Sequence, residues 1–202
     1  MNVRLKHDMP FTAGVYYADH LRMNNYNLRL WMTTNSTDPD DQSTSFERIK
    51  YFIYTQMDST IFINQELQDQ CQALVDAGLD ITTLPGEPVD QLIGIMLWYK
   101  LNAITEGRMI IVETEIASTV GENMTYLHSD YETTSGYDQP EWWTSPDLVH
   151  SDLVRTESEN VVSMPANMVW QDMELGWSMP DESDNSGNIV VFADFKKPNG
   201  TD

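Results

Sequence analysis

The side chains whose types and spacing suit chemistry lie in two short stretches joined by a turn. Glu113 and Glu115 alternate in MIIVETEIAS, and His128, Asp130 and Glu132 alternate in MTYLHSDYE. Residues two apart in a strand share a face, and the turn Val120-Gly121-Glu122-Asn123 lets the two stretches run back on each other as a hairpin. Brought to one face, four carboxylates and an imidazole form an oxygen-rich set that suits Mg²⁺, Mn²⁺ or Ca²⁺. The function this implies is that of a divalent-metal-dependent enzyme. The plainer reading of the same residues is the solvated side of an edge hairpin. A pairing shifted by one residue would put the two rows on opposite faces. Apart from that divalent cation, no cofactor is expected.

A second constellation pairs tryptophan with acid. Trp142 and Trp143 follow Glu141; Trp170 precedes Asp172 and Glu174; Trp177 follows three residues later and leads into Asp181, Glu182 and Asp184. Tryptophan is the side chain most enriched at interface hot spots, and surrounding carboxylates speed encounter with a basic partner. Trp142, Trp143, Trp170, Trp177, Glu141, Asp172 and Glu174 are therefore a candidate partner-binding set. The competing reading is that the indoles pin a long loop to the core.

Charge bounds the partners. The 202 residues carry 32 acidic against 11 basic side chains, a net −21. Such a field repels nucleic acid and anionic lipid and favours a basic protein or self-assembly. Phosphate-binding signatures are missing too: neither a P-loop nor a G-x-G-x-x-G after a strand occurs. No G-x-S-x-G is present. Ser129 and Ser151 adjoin histidines, but neighbours in a strand point apart. Cys71 is the only cysteine, so no intramolecular disulfide forms, and its place on a predicted helix suits a small core residue. The N-terminal stretch MNVRLKHDMPFTAGVYY lacks an apolar run of signal-peptide length, which points to a cytoplasmic protein.

The elements that must position these groups centre on residues 87–118. Leu92, Ile93, Ile95, Met96, Leu97, Trp98, Tyr99, Leu101 and Ile104 cover most of a helix circumference, which predicts a helix over 88–106 buried on several sides. Gly107 ends it in the left-handed position. The strand 108–118 follows, with Met109, Ile111, Glu113 and Glu115 on one face and Ile110, Val112, Thr114 and Ile116 on the other. Further strands are expected near 27–34, 61–63, 80–84, 123–131 and 188–195. A helix should begin at Thr44 with a Thr44/Glu47 capping box, and another after Asn64 that ends at Gly78. Tyr16, Tyr17, His20 and Leu21 suggest a short helix near the N-terminus.

The resulting expectation is an α+β fold: two or three core helices packed on a mixed, mainly antiparallel sheet. Residues 1–132 form the core. Residues 133–187 form an acidic, Trp-bearing loop or extension, since from Val120 to Gly187 there are 14 acidic residues and one basic, Arg155. Residues 188–202 return a final strand and a short tail. The main functional expectation is a non-enzymatic binding or assembly protein that acts through this acidic surface. The acidic, Met-rich composition is compatible with a virus-encoded accessory or structural protein.

Overall fold

A computed structural model describes residues 4–129, 141–150 and 169–177. Its order of elements is β1 (Arg4–Tyr17), β2 (His20–Thr34), α1 (Pro39–Tyr51), β3 (Ile61–Asn64), α2 (Gln68–Asp76), β4 (Ile81–Leu84), α3 (Asp90–Thr105), β5 (Met109–Ser118) and β6 (Tyr126–Ser129). The strands form one sheet in the order β4-β3-β1-β2-β5-β6. The β1–β3 and β3–β4 pairs are parallel and the other three are antiparallel. This is the expected α+β fold, with three α-helices on a mixed sheet of six strands among the described residues. Asp130, Glu132 and the strand expected at 188–195 lie outside the described residues.

The N-terminal third departs from expectation. In place of a short helix, β1 and β2 make a long hairpin paired from Arg4↔Thr33 to Tyr17↔His20. Its turn residues Ala18 and Asp19 both take positive φ, 49° and 61°. That is the backbone hand that matches strand twist in a two-residue hairpin. The first helix also starts earlier than the Thr44/Glu47 box suggested. Asp38 Oδ1 accepts the Asp40 N–H at 2.9 Å, and Pro39 opens the helix, where its missing N–H costs nothing. The helix runs on as a wider π-type turn, Phe52–Met57, that buries Phe52, Ile53 and Met57.

Alternation decides what each face of the sheet buries. Met9, Phe11, Ala13 and Val15 of β1 and Tyr26, Leu28, Leu30 and Met32 of β2 face α1 and α3 and form the main core. α3 is buried from Leu92 to Leu97 and again at Lys100, Leu101 and Ile104, and it ends with Glu106 and Gly107 at positive φ. Ile61, Ile63 and Ile81 point the other way and pack with Cys71 of α2 in a smaller cluster. α2 therefore covers only the β3–β4 end of the second face. Over β1, β2, β5 and β6 that face carries no helix among the described residues.

One irregularity fixes the exposure of the carboxylates. The β2–β5 register shifts between Trp31↔Glu113 and Met32↔Ile111, so Val112 is an extra residue in β5. The bulge resets the alternation. Met109, Ile111, Thr114 and Ile116 all face the core, and Glu113 and Glu115 turn to the helix-free side. The strict alternation expected from sequence would have put Ile111 and Glu113 on one face.

α3 lies close over β5. A Cβ on Gly94 would sit 2.8 Å from Ile116 Cγ2. Gly94→Ala is thus expected to destabilise despite alanine's helix preference, worth about 1 kcal/mol. Overpacking costs about 1–3 kcal/mol, so denaturant unfolding should report a net loss of roughly 1 kcal/mol.

Candidate functional site

Of the predicted metal ligands, Glu113, Glu115 and His128 lie among the described residues, and these three are not brought together. The β5–β6 register pairs Glu113 with Ser129, Thr114 with His128 and Glu115 with Leu127. His128 consequently shares the core face with Thr114, where it is buried and meets the Trp98 ring edge-on at 5.0 Å. Glu113 and Glu115 lie on the opposite face and are engaged by arginines: Arg4 reaches Glu113 at 3.6 Å and Arg29 reaches Glu115 at 2.8 Å. For these three residues the expected sharing of one face is corrected by this one-residue difference in register. Among the described residues no group of three or more His, Cys, Asp and Glu side chains could hold a metal ion.

The tryptophans are not a displayed surface. Trp142, Trp143 and Trp170 are 2%, 2% and 5% exposed. The Trp142 indole donates to Thr83 O at 2.9 Å and the Trp170 indole to Pro146 O at 2.7 Å. The chain around them is held by buried cations. Lys100, in the middle of α3, is fully buried and donates to the carbonyls of Trp142, Ser145 and Asp147 at 3.0, 2.9 and 2.6 Å. Arg48 of α1 donates to Leu175 O at 2.7 Å and to Glu106 at 2.9 Å. Trp177 lies between the guanidinium groups of Arg48 and Arg108, 3.7 and 3.9 Å from its ring centroid, and donates to Glu106 at 2.7 Å. Asp172 accepts the Val169 N–H at 3.3 Å, and Glu141 sits beside Thr144, whose hydroxyl accepts the Glu141 N–H at 3.2 Å. Of that set, Asp172 and Glu174 are exposed.

The helix-free face holds the more distinctive arrangement. Asp8, Arg29 and Glu115 fall in one row across β1, β2 and β5. Arg29 Nε donates to Asp8 at 2.6 Å and Nη1 to Glu115 at 2.8 Å, and the Trp31 indole donates to the other Glu115 oxygen at 3.1 Å. The hydrogen bond from Arg29 holds the Asp8 carboxyl below the usual carboxylate range. Beside this row opens a groove of about 330 Å³, lined by Asp8, Pro10, Asn27, Arg29, Glu115, Ala117, Asn123 and Thr125 together with Met9 and Leu28. Sequence reasoning singled out Glu115 alone in this set. Asp8, Pro10, Asn27 and Arg29 join it only through the unrecognised β1–β2 hairpin.

No family model matches the chain, and no curated protein matches it. Among solved structures, an uncharacterised protein of Wolinella succinogenes is similar at 10% identity, with a TM-score of 0.48 over 64% of this chain and 99% of that one. A 6-pyruvoyltetrahydropterin synthase of Plasmodium vivax shows 14% identity and a TM-score of 0.41 over 63% of this chain and 97% of its own. The corresponding synthase of Plasmodium falciparum shows 11% identity and 0.40 over 65% and 99%. At these values the likeness is one of outline, and no activity is carried across.

The reading of a non-enzymatic, virus-type assembly protein with a Trp-bearing acidic surface for a basic partner is corrected. Its tryptophans are in the core or held against arginines. No helix among the described residues is long and apolar enough to cross a membrane.

Two outcomes follow from the buried cation under residues 141–150. Lys100→Met keeps the apolar stem but strands the carbonyls it served, at about 1–3 kcal/mol for each that stays buried. Hydrogen exchange over 141–150 should accelerate in that variant. His150 gives the second. Burial and the nearby Lys100 ammonium push its imidazole from 6.5 down to about 4. The unfolded chain then binds the extra proton between those values, so stability is full above pH 6.5 and falls as pH drops toward 4. The expected loss is on the order of 2–3 kcal/mol, read from unfolding free energy against pH, and His150→Gln should flatten that part of the curve.

Proposed function

We propose that the groove on the helix-free sheet face binds a small, neutral, strongly polar molecule of roughly monosaccharide size. The observation that supports this most is the fixed guanidinium at its wall. Arg29 has five N–H donors, and its bonds to Asp8 and Glu115 lock the plane while leaving donors for a ligand oxygen. A side chain held this way loses little freedom when a ligand arrives, which is where binding sites gain affinity.

The rest of the lining favours the same class. Asn27 and Asn123 each offer a donor and an acceptor, and Thr125 offers a hydroxyl. Pro10 and Ala117 add a small apolar surface. Arg29 with two carboxylates sums to one negative charge, and the whole chain carries −21, so the site disfavours anions. The groove is at the lower end of the size range for small-molecule sites.

The test is a titration of the full chain with neutral sugars, polyols and small amides, and with their phosphorylated counterparts, followed by amide chemical shifts. Saturable shifts at Asn27, Arg29 and Asn123 are expected for a neutral compound and not for its phosphate ester. Ala117→Phe should fill the groove and abolish the response at unchanged far-UV circular dichroism. Arg29→Lys should weaken binding about tenfold or more, since a lysine cannot hold the planar fork. The absence of a saturable response, or one that persists in Ala117→Phe, would refute the assignment.

A further inference from the structure

A second, smaller cavity lies on the other face of the sheet, between the first turns of α3 and the β5–β6 pair. It measures about 20 Å³ and is lined by Gln91, Gly94, Ile95, Thr114, Ile116, Tyr126, Leu127 and His128. Thr114 and His128 are direct cross-strand partners and both face it. Thr114 is 1% exposed, and among the described residues its hydroxyl makes no hydrogen bond.

These facts pull in one direction. A buried hydroxyl left unpaired costs free energy, and proteins satisfy such groups by a side chain, a backbone group or an ordered water. A cavity needs about 10–15 Å³ of this measure to admit one water, and a dry cavity of that size is typically lined by apolar groups alone. Here the volume admits one water. The lining includes Thr114, Gln91 and His128, whose side chains carry a hydroxyl, a carboxamide and an imidazole. Gly94 keeps the space open from the helix side, since a Cβ there would already meet Ile116.

We infer that this cavity is a built-in binding site for a single ordered water, anchored by the Thr114 hydroxyl at the seam where α3 covers β5 and β6. The water takes the place of a side-chain partner for Thr114. It also lets a threonine and a histidine sit under an apolar helix without a direct bond between them. Gln91 is exposed and lines the same cavity, which provides the route by which the water exchanges with solvent.

The experiment compares the full chain with Thr114→Val, which keeps shape and removes the hydroxyl. The expected result has two parts. Water-to-protein cross-relaxation reaches the Thr114 methyl group with the sign of a long-lived water and disappears in the variant, and the variant melts roughly 2–4 °C lower. The inference is overturned if no long-lived water contacts that methyl group and Thr114→Val melts at the same temperature or higher. That outcome would mean a dry void in which the hydroxyl is a liability.

Discussion

The ammonium of Lys100 sits at the centre of α3 with none of its surface exposed, and much of the molecule is arranged around that fact. A buried cation is tolerated only when its hydrogens all find acceptors. Three backbone carbonyls from residues 142–147 meet it, and the rings of Phe52 and Trp142 lie 5.6 and 5.7 Å away. The carbonyls come from an acidic stretch, which meets the lysine through its backbone oxygens. Neutral backbone oxygens solvate the charge, and the two adjoining indoles fill the space that the stretch would otherwise leave over α3.

The same logic recurs at the second docking site. Arg48 is 1% exposed and takes the carbonyls of Leu175 and Ile104, with Glu106 as its counter-ion. Trp177 then fills the gap between Arg48 and Arg108. A chain with only 11 basic residues thus places three of them where two pieces of its acidic segment cross the helical layer. Arg4, Lys6 and Arg29 lie on the other face of the sheet, where Arg4 and Lys6 flank Trp31 and Arg29 is held by Asp8 and Glu115. The helical layer uses its cations for anchoring, and the open face keeps a cation at the wall of a groove.

What could be read from sequence followed from signals carried within one element. α3 was evident because its apolar residues run round the whole cylinder and Gly107 closes it. β3, β4 and β5 were evident as short apolar or alternating runs between turn residues. The β1–β2 hairpin was not, because β1 carries Pro10 and Gly14 and its turn is Ala18-Asp19 in place of an Asn-Gly pair. The structure explains why Pro10 is tolerated. The N–H groups of Thr12 and Gly14 point away from β2, to Asp58 and Thr60. Pro10 is in phase with them, and β3 pairs only as far as Gly14 and Val15. The missing N–H falls on an unpaired edge. The groove was out of reach for a related reason: Asp8, Asn27, Arg29, Glu115 and Asn123 are remote in sequence, and only the hairpin register and the bulge at Val112 align them.

The long hairpin also sets an order of events as the chain folds. β1 and β2 are the one extensive strand pairing made by residues close in sequence, through a two-residue turn that closes quickly. The strands that join this hairpin arrive from a distance: β3 joins the β1 edge after α1 has been made, and β5 joins the β2 edge only after α3. Loop-closure entropy must be met before those pairings return anything. The hairpin is therefore the template on which both halves of the sheet grow. The groove, which needs β5 in its bulged register, is among the last features to take shape.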